Sequence, residues 1–243
     1  MNTLFKKNEL WFSLLWIILY VVTFSIADSI SLSLGTAKLI TAPLTIVFAL
    51  LLFYWIKHNH FTVEYGICSF QGNAGRYLYF LPLVFISSTN LWGGITFRLS
   101  VMETVLYIIS MLCVGFIEEI IFRGFLFKAL CKRESTKKAI LISSITFGIG
   151  HIVNLLNGAE LFSTLCQLCY ACAIGFLFTI IFYKGKSLIP CIVTHSAVNS
   201  LSVFAKEATQ EFNLLVTILL TVVSIGYALL ILKNTSNVKG DKL

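Results

Sequence analysis

The chain has 243 residues, 58% of them hydrophobic and 12% charged, with a formal net charge of +7. That composition leaves too little polar side chain to cover a soluble domain of this size. The basic residues are scattered over short segments between apolar runs, which is a topology signal and not a nucleic-acid-binding stripe.

A helix needs about 20 apolar residues to cross a bilayer. By that measure the sequence predicts an all-α bundle of about eight transmembrane helices: Leu10–Ile30, Leu39–Ile56, Tyr77–Leu91, Glu103–Lys128, Ala139–Leu155, Leu161–Tyr183, Leu188–Phe204 and Asn213–Leu232. The third, fifth and seventh are short. The first is long and lacks a clear small-residue cleavage site, so it reads as a retained helix and not a cleaved leader. Breaks fall at Ser69–Gly75, Trp92-Gly93-Gly94 and Asn157-Gly158. One integral-membrane domain, 1–243, is expected, with a motif-bearing core at about 101–204 and a short polar tail at 233–243. With both termini cytoplasmic, every basic residue falls on the inner side except Lys38, Arg98, Lys206 and the intramembrane Arg123. That asymmetry supports the eight-span parse. Pro190 is expected to kink the seventh span, and Gly148 and Gly150 to allow close helix approach.

The seven cysteines lie mostly in apolar segments. Cys166, Cys169 and Cys172 are three apart and drift around a helix axis, so they read as small packing residues and not as metal ligands. No disulfide is assigned.

Charged side chains inside a bilayer are costly and rare unless used. Here Glu118, Glu119 and Arg123 lie in the fourth span, Phe147 and His151 in the fifth, followed by Asn154 and Asn157, and His195 and Asn199 in the seventh. At 1.5 Å per residue Glu118, His151 and His195 lie roughly 12–18 Å from the cytoplasmic helix ends, so they can meet at one level. Glu119/Arg123 and His195/Asn199 are each spaced four apart and share a helix face. Glu118 and Glu119 point about 100° apart, so one can face a cavity while Arg123 holds the other.

A buried carboxylate beside a histidine can take a proton from water, and a second histidine with an amide can stabilise an oxyanion. Alternatively Glu118, His151 and His195 could hold Zn²⁺ with a position left for water. Both arrangements hydrolyse an acyl bond. The plainer readings are helix-to-helix hydrogen bonds, a structural Glu119–Arg123 ion pair, or the proton relay of a proton-coupled transporter. Asp28 reads as interfacial.

In order, Glu118-Glu119-x-x-x-Arg123, Phe147-x-x-x-His151 and His195-x-x-x-Asn199 resemble the three motifs of the CPBP (Abi) intramembrane proteases. That family is related to the type II CAAX prenyl endopeptidases and includes proteins linked to bacteriocin processing and self-immunity. The resemblance covers about Val114 to Leu201. It implies Glu118 as general base acting with His151, His195 and Asn199 as oxyanion donors, Glu119 and Arg123 as support, and Phe147 as a cavity wall. A peptide or membrane-associated protein substrate and a bacterial plasma membrane are expected, although the family's substrate class does not carry over with the motifs. The favoured mechanism needs no cofactor, with Zn as the alternative. A non-enzymatic immunity or scaffold protein is the competing reading.

Overall fold

A computed structural model describes residues 1–235. Its helices, in chain order, are α1 (Asn2–Lys7), α2 (Glu9–Ser33), α3 (Thr41–His58), α4 (Leu81–Ser87), α5 (Val101–Glu119), α6 (Lys128–Cys131), α7 (Thr136–Gly150), α8 (Val153–Leu156), α9 (Leu161–Gly185), α10 (Ile189–Leu201) and α11 (Gln210–Thr235). A π-helical stretch, Ile120–Phe127, joins α5 to α6. No strand forms among the described residues; Ile95 and Ala205 make an isolated antiparallel bridge. Of the tail expected at 233–243, residues 233–235 continue α11 and the rest lies outside the described residues.

Six helices among the described residues are long and apolar enough to cross a membrane, against the eight expected. They are Glu9–Ser33, Thr41–His58, Val101–Cys131, Thr136–Leu156, Leu161–Gly185 and Gln210–Thr235. The expected third span is broken. Leu78, Tyr79 and Phe80 take left-handed φ values of 48°, 50° and 61°, which cannot continue a right-handed helix, and α4 restarts with Pro82 in its first turn. The expected seventh span is the short apolar helix Ile189–Phe204. Pro190 lies in the first turn of α10 and starts it, so the kink expected before His195 is absent.

Contacts define two ends of the bundle. At one, Lys132 Nζ pairs with Glu9 at 2.6 Å, Arg133 donates to Asn8, and Asn234 donates to the carbonyl of Arg76. At the other, Lys38 pairs with Asp28 at 2.8 Å, the Ala37 N–H donates to Glu103, and Arg98 pairs with Glu207. Ser100 caps α5 at this second end through a reciprocal box with Glu103. The stretches 74–100 and 189–204 also connect these two ends, in shorter pieces.

Close approach at glycine sets the helix spacing around the core. A Cβ on Gly115 would lie 2.4 Å from Ser196 Oγ and 2.6 Å from its backbone N, so α5 and α10 touch there. Gly148 approaches Cys172 in the same way, which makes that cysteine a packing residue on α9. Gly150 does not: its Cβ would meet only Phe122, at 3.9 Å, because two positions on, the helix has turned about 200° toward a cavity. We expect Gly115→Ala to cost about 1–3 kcal/mol by forcing backbone apart. Gly226→Ala, where a Cβ meets nothing within 4 Å, serves as control. Thermal unfolding in detergent measures both, and equal melting temperatures would refute the close-packing account.

Candidate active site

Glu118 and Glu119 occupy the last turn of α5, immediately before the π-helical stretch, whose eight residues are all buried. π-turns interrupt α-helices mainly at functional sites, because they re-aim side chains. Arg123 and Glu119 are both 0% exposed, and Arg123 Nη1 donates to Glu119 Oε1 at 2.9 Å. The guanidinium lies 4.0 Å from the ring centroid of Phe147 and 5.7 Å from that of Phe178. Cation–π contact is stronger in a desolvated setting such as this one. Gly175 on α9 leaves the room: a Cβ there would come within 3.2 Å of both Arg123 Nη2 and Phe147.

His195, from α10, bridges the two glutamates. Its Nδ1 lies 2.8 Å from Glu119 Oε1, and its Nε2 lies 3.4 Å from Glu118 Oε2. Because Glu119 also accepts from Arg123, it acts as an acceptor, so Nδ1 carries the proton and Nε2 faces Glu118. The result is a buried chain, Arg123–Glu119–His195–Glu118. Phe147 packs edge-on against both His151 and His195, with centroids 5.3 and 5.6 Å away.

Glu118 lines a cavity of about 130 Å³ together with Phe147, His151, Asn154 and Asn157, whereas Glu119 does not reach it. That volume holds several waters. Glu118 Oε2 has no hydrogen-bond partner, while Oε1 accepts from the Tyr20 hydroxyl of α2. No hydrogen bond joins His151 to Glu118 among the described residues. Instead His151 Nδ1 lies 3.4 Å from Gln167 Nε2, and Gln167 Oε1 accepts from Asn154 at 2.8 Å. Asn199 lines a second, larger cavity of about 530 Å³, which shares Tyr20, Phe24, Asp28, His151 and Asn154 with the first. The larger cavity reaches Lys38, Ala159 and Asn213, at the end opposite the Lys132 cluster. Asp28 is therefore more than interfacial: it lines both cavities, pairs with Lys38 and accepts from Thr41.

The sequence-derived residues thus divide. Glu118, Glu119, Arg123, Phe147 and His195 form one contact network; His151 flanks it across Phe147; Asn199 lies along the larger cavity. Tyr20 and Gln167 were not singled out from sequence. Neither has a motif-like neighbour, and only helix rotation brings them to the site.

A zinc site does not fit these residues. Among the described residues no three His, Cys, Asp or Glu side chains converge to hold an ion. Of the set Glu118, His151 and His195, the close pair is His195 Nε2 and Glu118 Oε2, 3.4 Å apart, with no such contact to His151 among the described residues.

Residues 100–201 match the family model described as Rce1-like, type II CAAX prenyl endopeptidase Rce1-like. This agrees with the resemblance carried by the three motifs. The matched segment runs from the Ser100 cap of α5 to the last residue of α10, so it contains every motif residue and excludes α1–α4 and α11. Neither a curated protein nor a solved structure matches the chain.

Proposed function

Because residues 100–201 are Rce1-like, a protease family, we propose that this multi-pass membrane protein is an intramembrane endopeptidase. The observation that carries the reading is the buried chain Arg123–Glu119–His195–Glu118 ending at a cavity with room for several waters. Such an array stores a carboxylate and an imidazole at hydrogen-bonding range where bulk water does not screen them, which suits general acid–base catalysis.

In this reading water attacks the peptide carbonyl carbon while Glu118 Oε2 takes its proton. The same proton passes to the leaving amine nitrogen as the C–N bond breaks. His195, held in one tautomer by Glu119, keeps an unprotonated Nε2 3.4 Å from Glu118 Oε2, where it can share the proton that Glu118 takes from water. His151 lines the same cavity and orders the water. The Asn199 amide, which makes no hydrogen bond among the described residues, donates to the oxyanion when the substrate carbonyl reaches it from the larger cavity. Glu118 lies roughly 15–20 Å along the helix from Cys131, so the cleaved bond is inside the membrane, nearer the basic end.

By the positive-inside rule the basic end faces the cytoplasm, with 74–100 and 189–204 threading the bundle as further, irregular passes. The larger cavity then opens away from the cytoplasm, in contrast to a cytoplasm-facing site. The family description supports a lipid-modified C-terminal peptide as one substrate class. Nothing in the match points to bacteriocin processing or immunity.

Purified protein in proteoliposomes should cleave a quenched fluorogenic peptide carrying a prenylated C-terminal cysteine motif, and should keep that activity after chelator treatment with less than one zinc per chain. Peptides lacking the prenyl group or the motif serve as comparison. No cleavage of any of them would overturn the protease reading, and loss of activity restored by zinc would overturn the metal-free mechanism.

A further inference from the structure

Helix α2 lies outside the Rce1-like segment, yet it forms a wall of the site. Tyr20, Phe24 and Asp28 recur every four residues, share one face of α2, and line both cavities. Tyr20 lies at the level of Glu118, and its hydroxyl donates to Glu118 Oε1. Its ring is held edge-on by Phe24 at 5.0 Å, and Phe24 in turn packs on Phe48 at 5.2 Å. A tyrosine so held has little freedom left in its two side-chain torsions, so its hydroxyl is fixed in place.

The two oxygens of Glu118 therefore differ. One is tied to Tyr20; the other is buried, without a hydrogen-bond partner, and lies 3.4 Å from His195 Nε2. We infer that Tyr20 is a positioning residue for the hydrolysis proposed above, on which this inference rests. By fixing Oε1 it leaves Oε2 as the oxygen that takes the proton from water. The carboxylate cannot then rotate out of reach of water and His195. Helix α2 is accordingly part of the working site, and the Rce1-like segment alone lacks one of its contacts.

Tyr20→Phe removes only the hydroxyl and keeps the ring contact with Phe24. In the full chain in proteoliposomes we expect kcat to fall about 10- to 100-fold, as for loss of a hydrogen bond to a charged group, with KM within about twofold. Tyr20 acts through the Glu118 carboxylate, so in a Glu118→Asp background, whose shorter side chain has already left Tyr20, the same change should alter kcat less than about twofold. Phe61→Leu, which loosens the aromatic packing on Phe5, Trp55 and Tyr65 and touches neither cavity nor the Tyr20 ring contacts, should lower thermal stability and leave kcat near wild type.

An unchanged kcat in Tyr20→Phe overturns the inference. So does an equal loss in both Glu118 backgrounds, or an equal loss in Phe61→Leu, because the effect would then be packing alone. Full activity in Glu118→Gln would instead sink the hydrolytic reading itself, so the two failures are distinguishable.

Discussion

Glu118→Gln is expected to lower kcat for peptide cleavage by roughly 10²–10⁴-fold, the usual contribution of a positioned general base. The substitution is nearly isosteric. The amide oxygen can still accept from the Tyr20 hydroxyl, and the cavity keeps its shape, so the fold should persist. What is lost is the carboxylate oxygen Oε2 that takes the proton from water at the cavity edge. Single-turnover cleavage in proteoliposomes, together with a melting curve in detergent, separates chemistry from folding. Wild-type turnover by a folded Glu118→Gln protein would exclude Glu118 as base. Flux of a solute driven by a pH gradient, lost in the same variant, would instead favour a proton-coupled transporter.

The second large effect is on stability. Arg123→Leu should destabilise the protein by about 3–5 kcal/mol, because it strands the Glu119 carboxylate in an interior where both partners are 0% exposed. Leucine also forfeits the contact of the guanidinium with the Phe147 ring. The double variant Glu119→Gln/Arg123→Leu removes both charges and should recover a large part of the loss, the signature of a buried pair whose members are costly singly. Denaturant or SDS unfolding of the three proteins measures the cycle. If Arg123→Leu were as stable as wild type, the buried pair would have no structural role. The double variant also tests catalysis: without Glu119 to hold Nδ1, His195 loses its fixed tautomer and kcat should fall even where stability returns.

The extent to which the site was legible in the sequence follows the range of each interaction. The Glu119–Arg123 pair is an i,i+4 contact and could be anticipated from helical spacing alone. The split between Glu118 facing a cavity and Glu119 held behind it follows from the 100° step between neighbours. His195 was anticipated as a site residue with Asn199, but its contacts run to Glu118 and Glu119, and Asn199 lies instead along the larger cavity. The spacing correctly put His195 and Asn199 on one face; it did not reveal how far along α10 the glutamates of α5 would meet that face.

Errors of segmentation have similarly local and non-local parts. Apolar length identified the six long helices, although their ends moved by a few residues. It also identified 77–91 as a span, where three consecutive left-handed residues break the helix. Hydropathy does not register backbone φ. Pro190 reads from sequence as a kink, whereas Leu188, whose N–H donates to the Gly66 carbonyl, is the N-cap of α10 and leaves Pro190 in its first turn.

By itself, then, the sequence determined that this is an α-helical membrane protein, that the ionisable residues deep in its apolar spans fall in three motifs, and that paired residues four apart share helix faces. These are consequences of composition and of a fixed 3.6-residue period, which operate within one helix. The tertiary structure alone decided that Tyr20 of α2 reaches Glu118, 98 residues away, that His195 lies between the two glutamates, and that His151 turns toward Gln167. Such pairings depend on the rotation and depth of one helix against another. Close contacts of Gly115, Gly148 and Gly175 with their neighbours contribute to both, and although Gly148 is legible as a site of close approach, its partner Cys172 is not.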